Sequence, residues 1–153
     1  MNVALIGSGS WGTAVAGLAA ARAERVTMWA HSEQTAAGIN GEHRNPRYLV
    51  DYELPGNIVA TTDLSQALDG ADAIIFAVPS THLRDVCHQA APLIADEMPV
   101  LCLTKGIEPE SGLLMSEVIA SGPLGPQPCR GDLPRRALCR RHRQRRYAGR
   151  GDL

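Results

Sequence analysis

Met1–Gly12 reads MNVALIGSGSWG, and the reading of this stretch decides the fold. Asn2–Ile6 is a short apolar run with the length and β-branched character of a buried strand. It breaks directly into Gly7, Gly9 and Gly12 at G-x-G-x-x-G spacing, and an Ala-rich helical pattern follows from Thr13 to about Ala23. A strand that turns on glycine into a helix aims the helix's free N–H groups and the positive end of its dipole at one point, which suits a pyrophosphate. The three glycines divide the work: Gly7 permits the tight turn, Gly9 lets the backbone approach phosphates, and Gly12 lets the helix sit hard against the strand. Glycine triplets alone are common. The strand before and the helix after turn this one from a plain tight turn into a dinucleotide-site expectation.

Outward from the opening, strands and helical patterns alternate. Val26–Trp29 is a second apolar strand, and Ser32 is placed to cap a helix reaching about Ile39. Residues 40–57 are polar and rich in Gly and Pro, and read as a long loop at the cofactor-side rim. Ile58–Thr61 is a third strand, Asp63 caps a short helix through Leu68, and Ala73–Val78 is a fourth strand, apolar throughout as a central parallel strand should be. A helix from Thr81 carries Leu83, Val86, Cys87 and Ala90 on one face; Val100–Leu103 is a fifth strand and Leu113–Ala120 a last helix. This alternation predicts an α/β, doubly wound parallel sheet of the Rossmann type, which binds ligands outside the carboxyl ends of its strands.

Those ends supply the candidate site: residues 7–11, 30–32, 78–80 with Pro79, and 104–106. The second strand ends in Trp29, Ala30, His31 and Ser32, with no carboxylate before Glu33 to hold a ribose 2′-hydroxyl. His31 either donates to a 2′-phosphate or merely caps the strand, so NADP and NAD both remain open as cofactors. Lys105 is the chain's sole lysine, at a strand's carboxyl end ahead of glycine, and is a candidate for contacting phosphate or a polarised carbonyl.

The bulk numbers narrow the classes. At 153 residues the chain fits one ordinary domain, enough for a βαβαβ core but short of the two-domain build of most dinucleotide enzymes. No apolar stretch approaches a membrane span and no signal-type segment follows Met1, so a cytoplasmic location is expected. Four cysteines without C-x-x-C or metal spacing favour a reduced protein with no metal site; Cys129, Cys139 and His142 fall together by chance. The net charge of −1 hides an asymmetry: residues 1–127 hold six basic and fourteen acidic side chains, residues 128–153 nine arginines and two aspartates. Neither helical nor strand periodicity survives beyond residue 121. Residues 1–120 are therefore expected to form the nucleotide-binding domain and 121–153 a Pro/Gly/Arg-rich disordered tail. That tail lacks the interleaved aromatics of a nucleic-acid arm, so nucleic acid is not favoured as a partner.

Several segments are more specific than glycine spacing. GSGSWGTA at 7–14, VTMWAH at 26–31, NPRYL at 45–49, ATTDL at 60–64, FAVPS at 76–80 and TKGIEPESG at 104–112 resemble the bacterial NAD(P)-dependent glycerol-3-phosphate dehydrogenases, in order over residues 1 to about 120. The resemblance implies reduction of dihydroxyacetone phosphate to sn-glycerol 3-phosphate for glycerophospholipid synthesis. It also implies that Ser10 and Trp11 line the cofactor beside Gly7, Gly9, Gly12 and Pro79. His31 and Tyr48 would lie at the adenosine end, and Lys105 would touch both nicotinamide and substrate.

The family continues into a sixth strand with a Ser-Gly-Pro substrate motif and a helical domain that brings a catalytic lysine. Ser121-Gly122-Pro123 lacks that context, and no second lysine exists, so no catalytic residue is assigned. The switch into Arg, Pro, Gly and Cys is the composition expected of a G+C-rich gene read out of frame, with the break near Pro128. The fifth strand is then expected to present an apolar edge. Two other readings stand beside this one: a non-catalytic nucleotide-binding module, and another dehydrogenase of the 6-phosphogluconate dehydrogenase-like group.

Overall fold

A computed structural model describes residues 1–95 and 98–121. The arginine-rich tail, with Cys129, Cys139, His142 and the break expected near Pro128, lies outside the described residues. The elements are β1 (Asn2–Ile6), α1 (Ser10–Ala20), β2 (Arg25–Trp29), α2 (Glu33–Glu42), β3 (Ile58–Thr61), α3 (Leu64–Leu68), β4 (Ala73–Phe76), α4 (Ser80–Ala90), β5 (Val100–Cys102) and α5 (Met115–Ser121). The strands pair in parallel in the order β3-β2-β1-β4-β5. This is the doubly wound sheet expected from the sequence, with its direction of winding reversing between β1 and β4.

Strand β1 shows why the opening residues govern the rest. Val3 and Leu5 point to one face and pack with Ala16, Ala20 and Ile39; Ala4 and Ile6 point to the other and pack with Phe76, Leu83 and Val118. These four of the five β1 side chains are buried, so alternation puts apolar groups on both faces, as a sheet covered by helices on each side requires. Each fully buried Leu, Ile or Phe contributes roughly 1.5–3 kcal/mol relative to exposure. On the α4 side, Leu83, Val86, Cys87 and Ala90 are all buried as their spacing predicts. Burial pushes the Cys87 thiol up to about 12, and it packs as an inert apolar group.

Several boundaries differ from the sequence reading for local reasons. Helix α1 starts at Ser10 rather than Thr13 because Gly9 takes the N-cap position, with its carbonyl accepting from Thr13 N at 2.9 Å. It ends at Ala20 because Arg22 and Ala23 both donate to Ala19 O, which tightens the last turn. Helix α2 runs past Ile39 to Glu42: Asn40 directs its side chain to the backbone of Ala60 in β3, and His43, at φ 52°, ends the helix in the left-handed region. Strand β4 stops at Phe76, two residues early, and the chain turns at Pro79 into α4. Among the described residues β5 is the outermost strand beside β4, with Val100 and Leu101 38% and 51% exposed, the apolar edge that was expected. Among the described residues no helix is long and apolar enough to cross a membrane.

Candidate functional site

A cavity of about 1080 Å³ opens at the carboxyl ends of the strands, across the point where the winding reverses. Four strand ends line it: 7–11 after β1, Trp29, His31 and Ser32 at the end of β2, 77–80 after β4 and 103–105 after β5. The long loop between α2 and β3 closes one side with Arg47, Tyr48 and Leu49. Gly7, Gly9, Ser10, Trp11, His31, Tyr48, Pro79 and Lys105 all line this single cavity. Gly12 does not; it is buried beneath the elbow, where a Cβ would stand inside van der Waals contact of the Gly7 carbonyl oxygen and 3.3 Å from Leu5 Cδ2.

The elbow is built as the glycine spacing requires. Gly7 has φ +121°, and a Cβ there would lie 2.6 Å from the carbonyl oxygen of Ala77 in the neighbouring turn. Gly9 meets no protein atom within 4 Å of where its Cβ would be, so the backbone is open to a close approach from the cavity side.

Helix capping separates the N-termini of α1 to α4 into two kinds. Those of α2 and α3 are closed by side chains: Ser32 Oγ accepts from Thr35 N at 3.3 Å, and Asp63 Oδ1 from Ser65 N at 2.8 Å. Those of α1 and α4 have no side-chain cap, and both open on the cavity. Their first N–H groups and positive dipole ends are left to whatever enters, which favours an anion. Lys105 adds a formal positive charge at the same place. Its Nζ lies 5.2 Å from the centre of the Trp11 ring, a cation–π contact joining the glycine elbow to the end of β5.

Two groups of residues, one behind the wall and one in it, were not singled out as site residues from the sequence. Asn45 is fully buried, donates to Ser8 O at 2.8 Å and Thr13 Oγ1 at 2.7 Å, and accepts from Arg47 N and Tyr48 N. It ties the loop that carries Tyr48 to the elbow that carries Gly9. His82, Asp85 and Gln89 line the cavity from α4. Their spacing of three and four residues marks a polar stripe beside the apolar one, a signal present in the sequence.

The turn carrying Lys105 is braced from α4. Arg84 Nε and Nη2 donate to the two carboxylate oxygens of Glu108 at 2.8 and 2.6 Å, and the Ser111 hydroxyl donates to the same carboxylate. The guanidinium fork, then the Ser111 hydroxyl, hold the Glu108 carboxyl down to about 2 from an ordinary 4.5. A depressed carboxyl stabilises the fold above its unfolded value and ceases to do so as pH falls through its folded value. The melting temperature is therefore expected to drop between pH 4.5 and about 2, and Glu108→Gln to flatten that part of the drop. Scanning calorimetry across this window checks it; an acid limb identical in the variant refutes the brace.

Comparison with known proteins agrees with this geometry. The family model described as NAD-dependent glycerol-3-phosphate dehydrogenase N-terminus matches residues 2–128. The chain is 45% identical over 119 residues to the glycerol-3-phosphate dehydrogenase [NAD(P)+] of Corynebacterium aurimucosum, covering 78% of this chain and 36% of that protein. With the enzyme of the same name from Bacillus pumilus it shares 43% over 118 residues, 77% of this chain and 34% of the other. Among solved structures, glycerol-3-phosphate dehydrogenase from Coxiella burnetii superposes with a TM-score of 0.73 at 32% identity, over 80% of this chain and 38% of that one. The chain thus spans about a third of the length of the curated relatives it matches. A glycine elbow, two uncapped helix ends on one cavity and a family match over residues 2–128 together mean that this chain belongs to the NAD-dependent glycerol-3-phosphate dehydrogenase family, as its amino-terminal portion.

Proposed function

We propose that this chain is the nucleotide-holding portion of a cytoplasmic NAD(P)-dependent glycerol-3-phosphate dehydrogenase that reduces dihydroxyacetone phosphate to sn-glycerol 3-phosphate for glycerophospholipid synthesis. The observation that carries the reading is the uncapped N-terminus of α1 behind Gly9, open to the cavity, with room for a dinucleotide in about 1080 Å³. A bound nicotinamide nucleotide would supply the hydride. The chain's own residues bind and orient. Gly7, Gly9 and Ser10 present backbone to the diphosphate, with Gly12 packed beneath them. Trp11 and Pro79 flank the nucleotide, and His31 and Tyr48 lie toward the adenosine. Lys105 places its ammonium near the nicotinamide and the substrate's carbonyl or phosphate. As the chain's sole lysine, Lys105 cannot both hold substrate and act as a separate proton donor. The 153-residue chain is therefore expected to bind nucleotide without turning over substrate.

Trp11 and Trp29 both line the cavity and report on its contents. Titrating the purified chain with NADPH or NADH is expected to quench tryptophan emission saturably, with no oxidation of the bound nucleotide when dihydroxyacetone phosphate is added. Absence of quenching by either nucleotide at millimolar concentration would refute the reading. Turnover would refute the non-catalytic assignment alone.

A further inference from the structure

We propose that Arg47 selects a 2′-phosphorylated adenosine ribose, so that the cavity prefers NADP over NAD; this rests on the nucleotide-binding reading above. In a doubly wound sheet the carboxyl end of the second strand meets that ribose, where a carboxylate holds the 2′-hydroxyl and repels a phosphate. Here β2 is followed by Ala30, His31 and Ser32, of which His31 and Ser32 line the cavity. The first carboxylate, Glu33, accepts a hydrogen bond from the Thr62 hydroxyl and does not line the cavity. Asp85 does line it, but from α4, on the β4 side of the point where the winding reverses. Among the described residues, no carboxylate lines the cavity from the β2 end to repel a 2′-phosphate.

A cation lines the same cavity from the loop after α2. Of the two arginines on the loop after α2, Arg44 is committed: its guanidinium pairs with Glu53 at 3.6 Å and donates to Val50 O. Arg47 lines the cavity and makes no ion pair among the described residues. Its guanidinium carbon lies 5.8 Å from the centre of the Tyr48 ring. Its backbone is fixed, because the buried Asn45 side chain accepts from Arg47 N at 3.0 Å and Tyr48 N at 3.2 Å. A guanidinium on an anchored backbone, in a cavity whose one lining carboxylate among the described residues is Asp85 on α4, is suited to bidentate recognition of a phosphate dianion. His31, just past β2, lines the same cavity and offers a ring N–H as a second donor.

The test is calorimetric titration of the full chain with NADPH and NADH, and with 2′,5′-ADP and 5′-AMP as fragments. The chain is expected to bind NADPH and 2′,5′-ADP about tenfold or more tightly than their unphosphorylated counterparts, with a preference that shrinks as salt rises. Arg47→Ala should abolish that preference through loss of NADPH affinity, leaving NADH affinity within about twofold and the melting temperature unchanged. Equal affinities in the parent chain, or an equal loss for both nucleotides in Arg47→Ala, would overturn the proposal while leaving the nucleotide-binding reading intact. Binding of neither nucleotide would overturn both.

Discussion

Gly12→Ala is expected to lower the melting temperature by roughly 10 °C or more, although alanine is ordinarily the better helix former by about 1 kcal/mol. Gly12 lies in the first turn of α1, and its Cα faces the elbow it supports. An added methyl would collide with the Gly7 carbonyl oxygen, stand 3.1 Å from its carbon and press on Leu5 Cδ2 at 3.3 Å. Two of those neighbours are backbone atoms of a turn that is itself locked, since Gly7 approaches the Ala77 carbonyl. Neither side can yield without separating α1 from β1. Overpacking of this kind costs on the order of 3 kcal/mol, a large share of the roughly 5–15 kcal/mol that holds a domain together.

Gly9→Ala is the matched control. Its Cβ would meet no protein atom, and φ −72° with ψ −178° is backbone that any residue adopts. Its stability cost is therefore confined to the difference between glycine and alanine at an N-cap, about 1 kcal/mol or less. Its methyl would occupy the space left for a diphosphate, so nucleotide affinity should fall by at least about tenfold, equivalent to about 1.4 kcal/mol. Thermal melts with NADPH titrations on both variants check the pair. A Gly12→Ala chain that melts with the parent, or a Gly9→Ala chain that binds as the parent does, would show that the two glycines do not divide packing from binding.

What was legible from the residues alone follows the same division between local and distant causes. Strand β1 and its elbow could be read because everything needed lies within twelve consecutive residues: an apolar run, a left-handed glycine and a small residue under the turn. Strand β3 and helix α3 kept their expected bounds, the helix because Asp63 closes it through the next residues, Ser65 and Gln66. Helix α2 was read too short because Asn40 looks like a local breaker, while its amide serves β3 twenty residues away. Lys105 stood out as a sole lysine at a strand end, but its contact with Trp11 depends on the strand order, which brings β5 and β1 to opposite sides of β4. Arg47 carried no such mark. The role proposed for it rests on what Glu33 and Arg44 do elsewhere, and those pairings are set only by tertiary structure.

Asn45 is the residue whose loss is expected to do most damage with least change in volume. Its side chain is fully buried and all four of its polar valences are used, two toward the elbow and two toward the loop backbone. Asn45→Ala would leave the Ser8 carbonyl and the Arg47 and Tyr48 N–H groups without these partners, at about 1–3 kcal/mol for each group that stays dry. A net loss of about 3 kcal/mol is expected, together with weaker nucleotide binding as Arg47 and Tyr48 lose their fixed backbone. Asn45→Asp separates hydrogen bonding from shape. The carboxylate keeps the acceptor for Arg47 N and Tyr48 N, but sets a second oxygen against the Ser8 carbonyl where an N–H₂ had donated. A buried charge facing a carbonyl oxygen has its pKa raised, so the folded state takes up a proton more readily than the unfolded one. Stability of the Asn45→Asp chain, relative to the parent, should therefore recover as pH falls from 7 toward 5, opposite in sign to the acid loss expected from Glu108. Parallel melts of the parent and both variants at pH 7 and pH 5 test this. An Asn45→Asp deficit that is small at pH 7 or unchanged at pH 5 would mean that the Ser8 and Thr13 contacts carry little of the elbow's stability, and that the loop is held by its own packing instead.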